Sequence, residues 1–115
     1  MLDDVASVTL QTALSGLSLR QQVTANNIAN LETPGYLAQN VSFESSLADA
    51  VNAGNPAAAQ ITESVTPDAA GQNGNNVSLD DQVVTATKTG LQEQLLSNAI
   101  TNQYGLLSTV LKGGA

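Results

Sequence analysis

The stretch Leu10-Gln11-Thr12-Ala13-Leu14-Ser15-Gly16-Leu17-Ser18-Leu19-Arg20-Gln21-Gln22-Val23-Thr24-Ala25-Asn26-Asn27-Ile28-Ala29-Asn30-Leu31 contains no proline and one glycine. Within it Leu10, Leu14, Leu17, Gln21, Thr24, Ile28 and Leu31 step by 4-3-4-3-4-3, the spacing of a helical seam. On an α-helix these side chains fall within about 100° of one another. A second stripe, Val5, Val8, Thr12, Leu19 and Val23, lies on nearly the opposite side. Asp3 and Asp4 suit the positive end of a helix dipole. The pattern therefore predicts a helix over residues 3–31.

The far end of the chain repeats the design. Ser78 followed by Asp81 resembles a capping box, with Asp in place of Glu or Gln. Leu96, Ile100, Gln103, Leu107 and Val110 step by 4-3-4-3, and Val84, Leu91 and Leu95 mark another face. Lys112 suits the negative end of the dipole, and Gly113-Gly114 stops the helix. A second helix is predicted over residues 78–112. Between the two, residues 32–77 hold all three prolines and the loop-like run Gly71-Gln72-Asn73-Gly74-Asn75-Asn76. Phe43, Leu47, Ala50 and Val51 are spaced for a short amphipathic helix ending before Gly54, and Ile61 to Val65 suits a short extended piece.

These readings give a mainly α chain of one domain, residues 1–115. Its two long terminal helices pair as an antiparallel, coiled-coil-like hairpin, and the middle segment is irregular. A two-helix hairpin covers one face of each helix. Val5, Val8, Leu19, Val23, Val84, Leu91 and Leu95 would stay in water unless another chain covers them, which makes them the candidate assembly interface. The alternative is that residues 32–77 fold back over the second face. That segment has few large apolar groups, enough to shield part of two stripes. Gln21, Thr24 and Gln103 place polar groups in the seams, where such residues fix register at a cost in stability.

Composition narrows function by exclusion. Ten acidic residues against Arg20, Lys88 and Lys112 give a net charge of −7. Three scattered cations cannot displace counterions from a nucleic acid or hold an anionic membrane surface. Without Cys or His there is no thiol nucleophile, no His-based triad and no ordinary zinc site. The pairs Asp3/Asp4 and Asp80/Asp81 point about 100° apart on a helix and read as helix starts rather than as an ion clamp. The first residues are acidic and no apolar run follows, unlike a cleaved signal peptide, and no run approaches the length of a membrane span. The only aromatics are Phe43, Tyr36 and Tyr104, so the core is thin. No catalytic residue, cofactor site or metal site is identified.

The segment Asn27-Ile28-Ala29-Asn30-Leu31-Glu32-Thr33-Pro34-Gly35-Tyr36 joins a helix end to a tight turn. Asn30 tolerates the left-handed conformation that closes helices. Pro34-Gly35 fits the centre of a type II turn, with positive φ at Gly35, and Tyr36 then folds back onto the helix. Asn27 to Asn30 and Thr33 to Tyr36 match at every position the signature of the flagellar axial proteins, the rod, hook and hook-junction subunits. Leu37 departs from the basic residue that often follows there. Residues 17–51 and 76–82, with the helix that follows, resemble the proximal-rod branch of that family.

The resemblance implies a structural subunit of the proximal rod of the bacterial flagellar basal body. Such a subunit is exported without a cleaved signal peptide and self-assembles into the hollow drive shaft, which transmits torque and carries the export channel. Implied partners are copies of itself, other rod proteins, the adaptor joining rod to membrane ring, and the export gate, with no nucleic acid and no membrane insertion. The alternative from the residues alone is a cytoplasmic helical-hairpin adaptor or secretion chaperone.

Overall fold

The computed structural model describes residues 4–113, with side-chain environments for residues 5–102. Asp3, Gly114 and the side chains of Asp4, Gln103, Tyr104, Leu107, Val110 and Lys112 lie outside the described residues. Helix α1 spans Asp4–Ala29, strand β1 Gln39–Ser42, helix α2 Glu44–Asn52, a 3-10 turn Pro56–Ala58, strand β2 Thr62–Val65 and helix α3 Leu79–Gly113. At about 1.5 Å per residue, α1 is ~39 Å long and α3 ~52 Å. The molecule measures 67 × 27 × 14 Å. Its radius of gyration is 18.0 Å, against roughly 13 Å for a rounded chain of this length. Among the described residues no helix is long and apolar enough to cross a membrane.

The two long helices run antiparallel. Gln21 Nε2 donates to Ala86 O (3.1 Å) and Asn27 Nδ2 to Gln82 Oε1 (2.9 Å), while Leu96 packs on the cluster around Leu17. Residue numbers therefore rise on one helix as they fall on the other. The seam has two halves of different chemistry. Toward the free ends Leu17 packs with Leu96, and Leu10, Leu14 and Ile100 are half-buried. Toward the middle of the chain, the inner face of α1 carries Gln21, Thr24 and Asn27, and that of α3 carries Gln82, Thr85, Ala86 and Thr89. Asn27 and Thr89 are each only 1% exposed. Polar side chains therefore hold the most buried positions, where the apolar pattern alone predicts none.

The segment 32–77 is not wholly irregular. The two short strands pair antiparallel, Gln39 opposite Val65 and Ser42 opposite Thr62, and the ribbon lies along α1. The sequence expectation missed β1. Its four residues alternate, with Val41 turned inward, but are too few and too polar to stand out. The ribbon and α2 cover part of the second face of α1. Val23 is buried and Leu19 packs on the same cluster, so the chain itself takes Val23 out of the candidate assembly interface. On α3 none of the described residues covers the outer row: Val84, Leu91 and Leu95 are 65%, 64% and 68% exposed. Val5 and Val8 are half-buried.

Phe43 closes the apolar half. Its ring lies on the face of α1 made by Gly16 and Arg20, one turn apart, with the Arg20 guanidinium 5.0 Å from the ring centroid. Arg20 also donates to Glu44 in a fork, at 2.7 and 2.8 Å, and to Val41 O at 2.7 Å. A Cβ on Gly16 would sit 2.5 Å from Phe43 Cδ1 and 2.6 Å from Cε1, inside any real contact. Two effects therefore compete in Gly16→Ala. Helix propensity favours Ala by about 1 kcal/mol, and overpacking costs about 1–3 kcal/mol. The ring is held by Arg20 and by the start of α2, so the clash prevails. Gly16→Ala is expected to lower the urea midpoint, and Gly16→Ala with Phe43→Leu to recover part of the loss. A rise in midpoint for the single variant would mean that Phe43 gives way freely.

The candidate functional site is a polar latch

At the middle of the chain, side-chain amides do the work that apolar packing does elsewhere. Asn27, on the last full turn of α1, uses all of its hydrogen-bonding capacity. Its Nδ2 donates to Gln39 O and Gln82 Oε1, both at 2.9 Å. Its Oδ1 accepts from Gln39 N–H at 3.0 Å and from the Tyr36 hydroxyl at 3.3 Å. The two bonds to the Gln39 backbone imitate a rung of a β-ladder, with a side-chain amide in place of a neighbouring strand. They also fix which end of the amide is oxygen, because a flip would set donor against donor and acceptor against acceptor. One residue thereby joins α1, the segment leaving the turn, and α3.

Two further asparagines extend the latch. Asn76 Oδ1 accepts from Ala38 N–H at 2.6 Å, and its Nδ2 donates to Thr66 Oγ1 at 3.0 Å and Asp68 O at 3.1 Å. Beside it, Thr66 N–H donates to Ala38 O at 2.8 Å. Asn76 therefore closes the end of the β-ribbon. Asn75 Nδ2 donates to Asn30 O at 2.9 Å and Thr33 O at 2.8 Å, carbonyls just past the end of α1 that also accept from the N–H groups of Thr33 and Tyr36. Its Oδ1 accepts from Val77 N–H at 2.8 Å. Among the described residues no buried side-chain nitrogen or oxygen lacks a partner, which is the condition for a buried polar network to stabilise a fold.

The signature residues fall on this structure in two groups. The side chains of Asn27, Asn30 and Tyr36 take part in its hydrogen bonds and Ile28 is half-buried, whereas Ala29 ends α1 exposed, and the exposed Thr33, Pro34 and Gly35 form the turn, Thr33 and Gly35 joining the latch through their backbone. Tyr36 N–H donates to Thr33 O at 3.2 Å and Gly35 has φ of 76°, as expected of a type II turn. The expected role of Asn30 is corrected, since no non-glycine residue among those described has positive φ. Asn30 instead stays in the last helical turn, donating from Nδ2 to Asn26 O at 2.8 Å, and its own carbonyl is capped by Asn75. With a partner supplied from elsewhere in the chain, the helix needs no left-handed residue to end it.

Gly35 and Gly74 touch across the latch. Gly35 N–H donates to Asn73 O at 2.9 Å, and a Cβ on Gly74, whose φ is 81°, would lie 3.3 Å from Gly35 Cα. The run 71–76 is thus the counterpart of the signature turn. Residues Gln39, Thr66, Asn75, Asn76 and Gln82 all belong to the site, and sequence reasoning assigned none of them a role. One signal was available: Gln82, Thr85, Thr89, Gln92, Leu96 and Ala99 step by 3-4-3-4-3 once polar residues are admitted to the seam. At the head of α3, Ser78 Oγ accepts from Asp81 N–H at 3.4 Å, the first half of the expected capping box.

A family described as flagella basal body rod protein matches residues 9–36, the seam of α1 together with the signature turn. Flagellar basal body rod protein FlgB of Bacillus subtilis (strain 168) is 33% identical over 118 residues, covering 91% of this chain and 92% of that protein. The protein of the same name from Escherichia coli (strain K12) is 30% identical over 137 residues, covering 99% of both. That from Borreliella burgdorferi is 27% identical over 121 residues, covering 86% and 90%. The chain belongs to the FlgB family. The match to FlgB runs through both halves of the latch, so the likeness is not confined to the signature.

Two outcomes are expected of the site. Asn27→Ala strands the Gln39 N–H and C=O, the Gln82 amide and the Tyr36 hydroxyl at once. At roughly 1–3 kcal/mol for each group left unsatisfied, with partial relief by water, it should destabilise the chain by about 3 kcal/mol in urea melts. The Arg20–Glu44 fork has its own pH signature. The hydrogen bonds from Arg20 outweigh desolvation and lower the Glu44 pKa from 4.5 to about 2. A carboxyl depressed by folding stabilises above its unfolded pKa, and that contribution fades as pH falls from about 4.5 toward 2. Glu44 is more than half exposed, so solvent screening limits the pair to about 0.5–1 kcal/mol. Stability of the Glu44→Gln variant should therefore converge on that of the parent chain at low pH.

Proposed function

We propose that this chain is a structural subunit of the proximal rod of the flagellar basal body, which self-assembles into a hollow shaft that transmits torque and carries the export channel. Membership of the FlgB family supports a rod role, and the names of its relatives place that family in the basal body. The observation in this chain that carries the reading is the uncovered outer row of α3. Val84, Lys88, Leu91 and Leu95 step by 4-3-4 along α3, and among the described residues Val84, Leu91 and Leu95 are left exposed. A latch that fixes the angle between hairpin and ribbon gives every copy the same shape, which a repeating tube requires.

The interface is drawn from Val84, Leu91 and Leu95, with Val5, Val8 and Leu19 as secondary contributors and Val23 excluded by its burial. Partners on this reading are copies of the chain, other rod proteins, the adaptor to the membrane ring and the export gate. The role is non-enzymatic, in keeping with a family of structural rod proteins. The alternative of a cytoplasmic adaptor or chaperone has no support in the relatives.

Leu91→Asp and Leu95→Asp test the interface. Each places a carboxylate at a surface that closes on assembly, where an unpaired buried charge costs about 3–5 kcal/mol. The free chain, in which both positions are exposed, should keep its unfolding free energy in urea melts within ~0.5 kcal/mol of the parent. Cells carrying either variant at normal protein level should be non-motile and lack rods in isolated basal bodies. Normal motility would remove this row from the interface. The turn is tested separately: Gly35→Val should impair rod formation more than Gly35→Asn, because Asn tolerates positive φ, and equal motility of the two would contradict a positive-φ requirement.

A further inference from the structure

Asn73-Gly74 is the single Asn-Gly pair in the chain, and it sits in the latch. Asparagine is chemically labile, and glycine on its carboxyl side removes the side chain that would hinder attack. We propose that Asn73 is a spontaneous deamidation site whose reactivity is governed by the latch, held low when the latch is closed and released when it opens.

The step balances within the chain and water. The Gly74 backbone nitrogen, on losing its proton, attacks Asn73 Cγ, and ammonia leaves to give a five-membered succinimide. Water then opens the ring. Cleavage between that nitrogen and Cγ yields aspartate. Cleavage between the nitrogen and the former main-chain carbonyl carbon yields isoaspartate, in which the main chain runs through Cγ.

The closed structure restrains both reacting groups. Gly74 N–H is engaged, donating to Gly71 O at 3.0 Å, so the nucleophile must break a bond before it loses its proton. Asn73 Oδ1 accepts from Asn75 N–H at 3.1 Å, which holds the amide toward Asn75. The Asn73 main-chain carbonyl is bound to Gly35 N–H at 2.9 Å, and Gly74 packs on Gly35 Cα. Closing the ring therefore requires the run 71–76 to part from the signature turn, although Asn73 itself is exposed to water.

The two products differ in consequence. Aspartate keeps an oxygen facing Asn75 N–H and leaves the main chain in place. Isoaspartate turns the carbonyl that binds Gly35 into a free carboxylate and lengthens the main chain by one carbon beside Gly74. A chain modified in this way cannot re-form the contact between the two glycines, so the reaction acts as a one-way lock on chains that stay open.

The test is peptide mapping by mass spectrometry of the full chain, incubated at pH 8 and sampled over days. Three samples are compared: the native chain, the same chain in urea, and an Asn75→Ala variant in buffer. Conversion at Asn73 should be at least about tenfold slower in the native chain than in urea, with Asn75→Ala between them, since reaction requires local opening. Isoaspartate formed in urea should remain after transfer to buffer and should abolish the hydrogen-exchange protection of Gly35 N–H. Asn73→Asp, made directly, should retain that protection. Equal rates with and without urea would overturn the protective role of the latch. Absence of conversion at Asn73 in urea would overturn the site itself.

Discussion

The fold depends on a constraint at one buried side chain. Asn27 is 1% exposed and forms four hydrogen bonds, to Gln39 N–H, Gln39 O, Gln82 and Tyr36. An amide removed from water costs free energy at each unpaired atom, so its burial is tolerable only when every partner is present at once. Gln39 and Tyr36 are brought there by the turn at Thr33–Tyr36, and Gln82 by the start of α3. Removing any one partner exposes the others to the same penalty. The site is therefore cooperative in a way that a cluster of leucines is not, because an apolar contact degrades gradually while an unpaired amide does not.

That cooperativity explains how a chain with so small a core defines a single shape. The apolar cluster is Leu17, Val23, Val41, Phe43 and Leu47, with Leu96 and a few others at its edge. It fills only the zone where α1, α2, the ribbon and α3 meet. From there to the head of α3, register is set by Gln21 on Ala86, Asn27 on Gln82, and Asn76 across the end of the ribbon. Directional bonds specify angle and register, and the apolar groups they replace on the inside are then available outside. Val84, Leu91 and Leu95 face water on the same helix whose inner face is polar at Gln82, Thr85 and Thr89, a local inversion of the usual arrangement that suits a subunit completed by its neighbours.

Much of the architecture is legible in the sequence because it is periodic. The 4-3 spacing of Leu10 to Leu31 and of Leu96 to Val110 marks the two long helices, and Phe43, Leu47, Ala50 and Val51 mark α2 within a residue. The Pro34-Gly35 pair carries the positive φ of its turn in its own chemistry. The latch was not legible, for a physical reason. Asn27 and Gln82 are 55 residues apart, and an amide announces neither its partner nor whether it is buried. Asn75 and Asn76 lie in a run whose composition reads as loop, and their role is visible only once the carbonyls they cap are in place. The spacing alone puts Val23 on the outer stripe, because β1, with its four residues, gives no sign of the ribbon that covers it.

The central claim is that the latch opens as one unit. Native-state hydrogen exchange at the backbone N–H groups of Gly35, Gln39 and Asn76 tests it most directly. They bond to Asn73 O, Asn27 Oδ1 and Tyr36 O, and so report on three separate contacts across the site. The account predicts a common opening free energy for all three, with the same denaturant dependence, falling together in Asn27→Ala. Independent opening energies, or protection at Gly35 and Asn76 unaffected by Asn27→Ala, would contradict it.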